Sequence, residues 1–360
     1  MNQMLERKII PDLVSIGPAL VDISIDIPEL KDYLRIIEFL QTKPGGWVYI
    51  HETRQLEEVL AIALNTTVLN LFRDFDQLLK KPSVDVIAGS TGLGFLSAFP
   101  KLQRRRSAIV STVGSPDGKN PDPISQIFTR DLHSLNIRHY SYPVRGNSAV
   151  GLVLSTKTIP EKVLAMMPGV AYELVNFPSE IPKGTVIHLD AYELRKGKIS
   201  ETLDQLITSR RYKIALGLGN SSILEGDLKR MIIDYVFKGK IEYLMGNSSE
   251  FSKLFSEKES ELFPNEQALS ALGVQNVVPH VLITFGENGM CSWVNNRFYY
   301  NEACPTSKIV NTSGAGDTAA GVFISGLLVK EAPQQILRTA ALFSAEVLQL
   351  KGSKLVDGRN

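Results

Sequence analysis

Asn311-Thr312-Ser313-Gly314-Ala315-Gly316-Asp317 is the stretch on which the reading of this chain turns. Two glycines flank an alanine, one carboxylate follows, and the run after it, Thr318-Ala319-Ala320-Gly321-Val322-Phe323-Ile324-Ser325-Gly326-Leu327-Leu328, is apolar on nearly every face of a helix. A helix apolar all round is expected to be buried. Its first turn leaves backbone N–H groups without intrahelical partners at the positive end of the helix dipole, so an anion fits beyond Gly314. Gly314 and Gly316 permit a close approach that a Cβ would obstruct. Asp317 then stands beside the place of a phosphate, where a carboxylate can take a proton from an attacking hydroxyl. The same residues also describe an ordinary strand-to-helix turn, approached by a strand at 307–310, with Asp317 as a first-turn charge.

Outward from this turn the chain alternates. Residues 13–17, 84–89, 107–114, 186–190, 213–217, 242–247 and 281–286 are short runs rich in Val, Ile and Leu that read as strands, and helical patterns lie between them, among them 29–40, 55–75 and 123–135. That alternation predicts an α/β fold: a doubly wound, mostly parallel sheet flanked by helices, with ligands met at the carboxyl ends of the strands. Two regions break the rhythm. Residues 20–27 alternate apolar with polar, as a half-exposed strand does, and 139–156 read as a pair of short alternating strands broken at Arg145-Gly146-Asn147. Both are expected in a small separate sheet with one open face.

With 360 residues, 44% of them hydrophobic and 21% charged, the chain can bury a substantial core, as one large domain with an appendage or as two domains. A formal net charge of +1 supplies no field for nucleic acid or an anionic membrane, so an anionic ligand must be held locally. Cys291 and Cys304 are too few for a disulfide framework and lack the spacing of zinc or redox sites. The N-terminal residues mix acid and base without an apolar core, and no run approaches the ~18 apolar residues of a membrane span. The expectation is a cytoplasmic protein with neither nucleic acid nor membrane as partner. His51, His133, His139, His188 and His280 are scattered without metal-ligand spacing and are assigned no chemistry.

Three further segments end strands where a ligand is met. Asn247-Ser248-Ser249-Glu250 sets an amide and a carboxylate three residues apart at a helix start, where Glu250 either caps the helix or holds a hydrated Mg²⁺. Thr284-Phe285-Gly286-Glu287-Asn288-Gly289 offers a hydroxyl and close backbone contact to a nucleotide, although a hairpin turn has the same pattern. Asp22, in the open strand, either binds sugar hydroxyls or faces water. A nicotinamide dehydrogenase needs a GxGxxG loop after its first strand, and Ile16-Gly17-Pro18 supplies none.

In this order the residues resemble the ribokinase or PfkB family of small-molecule kinases, which includes sugar, adenosine and inosine-guanosine kinases. Residues 311–317 are similar to its DTxGAGD signature, 247–250 to its NxxE motif and 284–289 to its TxGxxG segment, with Ile16-Gly17 before Asp22 and Val113-Gly114 before Asp117 in matching order. The likeness spans most of the chain. It implies a single ribokinase-like domain over 1–360 with a small β lid, its strands contributed by about 18–50 and 138–157. It also implies an ATP- and Mg²⁺-dependent phosphotransferase acting on a hydroxyl of a sugar, sugar acid or nucleoside. Asp317 would be the base, and the N–H groups of Gly314, Ala315 and Gly316 would form the anion hole. Thr284, Gly286, Gly289 and Asn247 would meet the nucleotide, Asn247 and Glu250 would order Mg²⁺, and Asp22 and Gly89 would meet the acceptor beneath the lid. A lid with an exposed sheet face also offers a surface for a homodimer.

The chain departs from the family pattern at two places. Asn311 replaces the first Asp of the signature, as in inosine-guanosine kinases, which leaves the need for a monovalent cation open. The GGxxxN motif reads here as Ala88-Gly89-Ser90-Thr91-Gly92-Leu93, and Leu93 cannot make the hydrogen bond to the acceptor that Asn makes in relatives. These changes motivate a competing reading, a catalytically silent sensor or scaffold on the same fold, against which the retained Asp317 argues. Residues 20–23 and 167–170 resemble the purine-nucleoside branch somewhat more than the sugar-kinase branch.

Overall fold

Two hydrophobic periodicities in the sequence separate into two sheets. The computed structural model describes residues 11–44, 47–66, 70–102, 106–159, 162–174, 176–195, 197–255, 264–310 and 312–350. In chain order the strands are β1 (Leu13–Ile16), β2 (Leu20–Asp26), β3 (Trp47–Tyr49), β4 (Val84–Ala88), β5 (Ser107–Ser115), β6 (Arg138–Arg145), β7 (Ala149–Ser155), β8 (Val163–Met167), β9 (Val186–Asp190), β10 (Lys213–Gly217), β11 (Tyr243–Asn247), β12 (His280–Thr284), β13 (Met290–Val294) and β14 (Arg297–Asn301).

Among the described residues the larger sheet has nine strands in the order β14-β13-β12-β11-β10-β9-β1-β5-β6. It is parallel from β6 to β12 and antiparallel only through β12, β13 and β14. Its central strands are buried on both faces, every residue of β5 and β9 included, which is why they read as continuous apolar runs. One face packs against the helices Ala315–Leu328 and Pro333–Leu348, the other against Gly197–Thr208, Gly226–Phe237 and Ser248–Phe255. Among the described residues no helix is long and apolar enough to cross a membrane.

The smaller sheet has the order β3-β8-β7-β2-β4. Along β2 the residues alternate between buried and part-exposed, so Val21, Ile23 and Ile25 face a core shared with Tyr33, Ile36, Leu56 and Leu60, while Asp22 and Ser24 lie on the open face. The separate sheet expected from the broken rhythm therefore exists, but its membership differs from the expectation. Of the range 138–157 only β7 lies in it. Residues Arg138–Arg145 pair in parallel with β5 as the edge of the larger sheet, and an edge strand alternates in burial just as a lid strand does. Conversely β4, expected among the strands of the main alternation, pairs antiparallel with β2, and β8 joins β7 without having been read as a strand.

Three local readings also change. Residues 307–310 form no strand: the Val310 N–H donates to Leu348 O at 2.7 Å, the end of the neighbouring helix, and Ile309 is exposed. The helix expected over 55–75 is Thr53–Ala63 plus a single turn at Phe75–Leu78. After β12 the chain turns back as a hairpin, so the segment 284–289 is a tight turn rather than a strand-to-helix link.

The two sheets are tied at Asp122, a buried carboxylate that caps the helix Pro123–Ser134. Its Oδ1 accepts from the Ser125 N–H at 2.8 Å and the Ser148 hydroxyl at 2.9 Å, and its Oδ2 from the Ser148 N–H at 2.7 Å. The Gly114 N–H in turn donates to Ser148 Oγ at 2.9 Å. The helix start and the approach to β7 thus share one acceptor group, to which the end of β5 is joined through Ser148 Oγ, and removing the carboxylate strands buried donors. Asp122→Ala is expected to lower unfolding free energy by roughly 3 kcal/mol, the sum of a lost cap and unsatisfied buried groups. Urea unfolding followed by circular dichroism checks this.

Candidate active site

The helix Ala315–Leu328 reaches its place because small residues let it sink. A Cβ on Gly321 would overlap the Phe95 carbonyl, and one on Gly326 would meet Ile336, so both neighbouring helices approach its backbone directly. Residues 318–326 are buried. Gly314 closes the preceding turn in the left-handed region at φ +83°, and the first bond inside the helix runs from the Thr318 N–H to Gly314 O at 2.9 Å. The N–H groups of the first turn consequently point out of the helix end. They open into a cavity of about 380 Å³ at the carboxyl ends of β9, β10, β11 and β12, which Gly314, Gly316 and Asp317 line together with Asn247, Glu250 and Thr284.

Asp317 is part-exposed and faces into this cavity. Burial, and secondarily the charge of Glu250, push its carboxyl up to about 7. Across the cavity Asp190 ends β9, and its carboxyl is raised well above the usual range by burial and by Glu193, Asp317 and Glu250. Gly217 and Gly219 make room for it, since a Cβ on either would press into the Asp190 carboxylate. Glu193, buried and accepting from the Asp190 N–H at 2.9 Å, is pushed up to about 8 by burial. No lysine or arginine is among the described residues lining the cavity. Protons or an added cation must therefore balance its charge.

Asn247 and Glu250 form a reciprocal cap. Glu250 Oε2 accepts from the Asn247 N–H and Oε1 from its side-chain amide, both at 2.8 Å, while the Glu250 N–H donates to Asn247 Oδ1 at 2.9 Å. The capping alternative read from the sequence is realised, and it leaves each carboxylate oxygen with a lone pair for a water of a hydrated cation. An acid-rich, desolvated donor set of this kind suits a hard divalent ion. Among the described residues no three His, Cys, Asp or Glu side chains converge as a chelate. Mg²⁺ would thus be held through waters and the oxygens of a ligand.

Not every predicted residue lines this cavity. Gly286 and Gly289 belong to the β12–β13 hairpin; Gly289 has φ +82°, its backbone packs against Asn301 O, and the Phe285 N–H donates to Gly289 O at 2.8 Å. Ala315 contributes backbone only, its O accepting from Ser344 Oγ at 3.0 Å. Asp22 and Gly89 sit together on the smaller sheet, the Asp22 carboxylate filling the space above Gly89 and Gly151 where side chains would otherwise stand. Asn311, on which the cation question depends, lies outside the described residues.

Leu93 is fully buried among core residues, so its side chain offers no polar contact to an acceptor. Ser90 precedes it at φ +85° and ψ 143°, an uncommon backbone for a residue with a side chain, and its hydroxyl accepts from the Leu93 N–H at 3.2 Å. Sequence reasoning also passed over Asp190, Tyr192, Thr91 and His188, all of which line the cavity. An acid at the carboxyl end of a buried strand was the available signal for Asp190. His188 carried none: its ring stacks on Phe95 at 3.8 Å and Nδ1 lies 2.9 Å from Ser15 Oγ, while burial pushes it down to about 3.

Comparison with known proteins agrees with this architecture. The family model described as pfkB family carbohydrate kinase matches residues 121–356. Among curated proteins, 1-phosphofructokinase of Escherichia coli K12 is 37% identical over 79 residues, 22% of this chain and 25% of that protein. The chain spans about a quarter to a third of the length of the curated relatives it matches. Among solved structures, adenosine kinase from Sinorhizobium meliloti superimposes with a TM-score of 0.72 at 18% identity, covering 96% of each chain. Arabidopsis thaliana ribokinase complexed with ribose and ATP superimposes with a TM-score of 0.64 at 16% identity, covering 96% of this chain and 94% of that one. Both likenesses show the fold.

Proposed function

Because this chain belongs to the pfkB family of carbohydrate kinases, we propose that it transfers the γ-phosphoryl group of ATP to a hydroxyl of a small sugar-like acceptor, with Asp317 taking the proton. The observation that carries this reading is one part-buried carboxylate beside the open first turn of a buried helix, in a cavity that also holds Asn247, Glu250 and Thr284. The acceptor oxygen bonds to the γ-phosphorus as the bond to the β–γ bridging oxygen breaks, ADP leaves, and the hydroxyl proton passes to Asp317. A base poised near neutral pH suits that step. The N–H groups of Gly314, Ala315 and Gly316 face the charge on the transferring group, and Thr284, Gly286, Gly289 and Asn247 form the nucleotide side. Glu250 and Asn247 would hold Mg²⁺ through its waters, and the ion would supply charge neutralisation at the phosphates. Asp22, in the space left by Gly89 and Gly151, receives acceptor hydroxyls.

The competing reading as a silent sensor rests on Leu93 and Asn311, and the retained Asp317 argues against it. The free thiols of Cys291 and Cys304 accord with a cytoplasmic protein. Leu164, Val153 and Ser24 lie in one row on the open face of the smaller sheet, and Leu164 is exposed, which supports pairing of two copies there. Light scattering is expected to report twice the chain mass; a monomer at micromolar concentration removes the pairing.

Asp317→Asn is expected to lower acceptor-dependent turnover by roughly three orders of magnitude or more with nucleotide affinity little changed. Steady-state ADP release and nucleotide titration separate the two quantities, and undiminished turnover rejects the base. Glu250→Gln keeps an acceptor oxygen for the cap but loses the charge, so the Mg²⁺ concentration for half-maximal rate should rise about tenfold. A superimposable Mg²⁺ titration takes Glu250 out of the metal role.

A further inference from the structure

The loop after β9 carries Tyr192 into the cavity and Arg195 toward the edge of the smaller sheet. There Arg195 Nη1 donates to Tyr49 Oη at 3.2 Å, its Cζ stands 5.8 Å from the centre of the Tyr49 ring, and Tyr49 Oη lies 3.3 Å from Tyr172 Oη. Tyr49 belongs to a row that crosses the smaller sheet in register: Tyr49 beside Met166, Met166 beside Gly151, Gly151 beside Asp22. Directly opposed residues on neighbouring strands share one face, so these side chains bound one platform. Gly151 contributes no side chain, and the Asp22 carboxylate leans over it. The platform has a carboxylate at one end, a thioether floor, and two tyrosines with a guanidinium at the other, about 14 Å away by three strand spacings. Side chains reaching inward from both ends shorten that span toward the length of one phosphorylated sugar.

Arg195 is half-buried, and among the described residues its guanidinium makes this one hydrogen bond and no ion pair. A planar fork with five donors matches the oxygens of phosphate or carboxylate, and a lone tyrosine hydroxyl uses one of them. Asp190, Glu250 and Asp317 line the cavity, Glu193 lies behind it, and Asp22 stands at the far end of the platform. Besides them the neighbouring ionisable groups are tyrosines, the buried His188 and His51, whose ring stacks on Tyr49 at 6.5 Å. Arg195 is the permanent cation of this set. Building on the kinase reading above, we infer that Arg195 is a specificity-determining residue that receives a phosphate or carboxylate at the end of the acceptor remote from Asp22. The acceptor is thus an anionic sugar rather than a neutral one: its hydroxyls lie toward Asp22, its carbon frame over Met166, and its anionic group against Arg195, Tyr49 and Tyr172. A purely mechanical latch between sheet edge and loop uses the same contacts but is indifferent to ligand charge.

The test measures kcat and KM by acceptor-dependent ADP release, with calorimetric binding of each acceptor alongside. The probes are fructose 1-phosphate, fructose 6-phosphate and 2-keto-3-deoxygluconate against fructose, ribose and adenosine, on the wild type, Arg195→Lys and Arg195→Met. The wild type should favour at least one anionic probe over every neutral one by about 100-fold in kcat/KM, the worth of a paired, charge-assisted contact. Arg195→Met should raise the KM for that probe about 100-fold with kcat nearly kept, leave neutral probes unchanged, and be partly rescued by Arg195→Lys. The ranking of phosphate against carboxylate probes names the group. A wild type that prefers a neutral probe, that binds no anionic probe, or whose Arg195→Met variant weakens all probes alike overturns the inference. Charge-selective, Arg195-dependent binding without turnover of any probe keeps this inference and rejects the transferase reading; turnover blind to charge does the reverse.

Discussion

A carboxylate seated in a recess at the head of a buried helix is the constraint around which this molecule is arranged. Asp317 would be an ordinary acid in bulk solvent; recessed, and near Glu250, it holds its proton to about 7. The recess exists because the following helix is apolar all round and packs against β-strands and helices. The burial that stabilises the core thus also sets the chemistry at the helix end, since the same low-polarity surroundings that favour apolar side chains disfavour an unpaired charge.

Glycines set the second requirement, close approach. Gly217 and Gly219 admit the Asp190 carboxylate, Gly89 and Gly151 admit that of Asp22, and Gly321 lets the central helix touch the Phe95 backbone. Each is a place where a β-carbon would displace a functional group or a backbone. Asp190, Glu250 and Asp317 crowd into one lining that holds no lysine or arginine among the described residues, so protons or an added cation must balance them. Asp122 serves the opposite purpose: its carboxylate is fully engaged by Ser125 and Ser148, and it joins the two sheets rather than a ligand.

Much of this was legible beforehand wherever a local pattern had one physical solution. Buried parallel strands between helices, a glycine turn leading into an apolar helix, and an Asn and Glu three residues apart at a helix start each specify their geometry within a few residues. The failures share a cause. The edge strand Arg138–Arg145 and the open strand β2 both alternate in burial, so alternation alone could not say which sheet each joined. Asp190 looked like one more residue of a buried strand.

The sequence by itself determined the α/β class, the glycine turn at 312–316 and the acid that follows it at the head of a buried helix, because helix burial, dipole and glycine geometry act over one or two turns of chain. Tertiary structure alone decided which distant residues share a space: Asp190 with Asp317, Asp22 with Gly151, Arg195 with Tyr49. Those pairings depend on strand order and register, which are set by how whole faces pack, and no local periodicity carries that information.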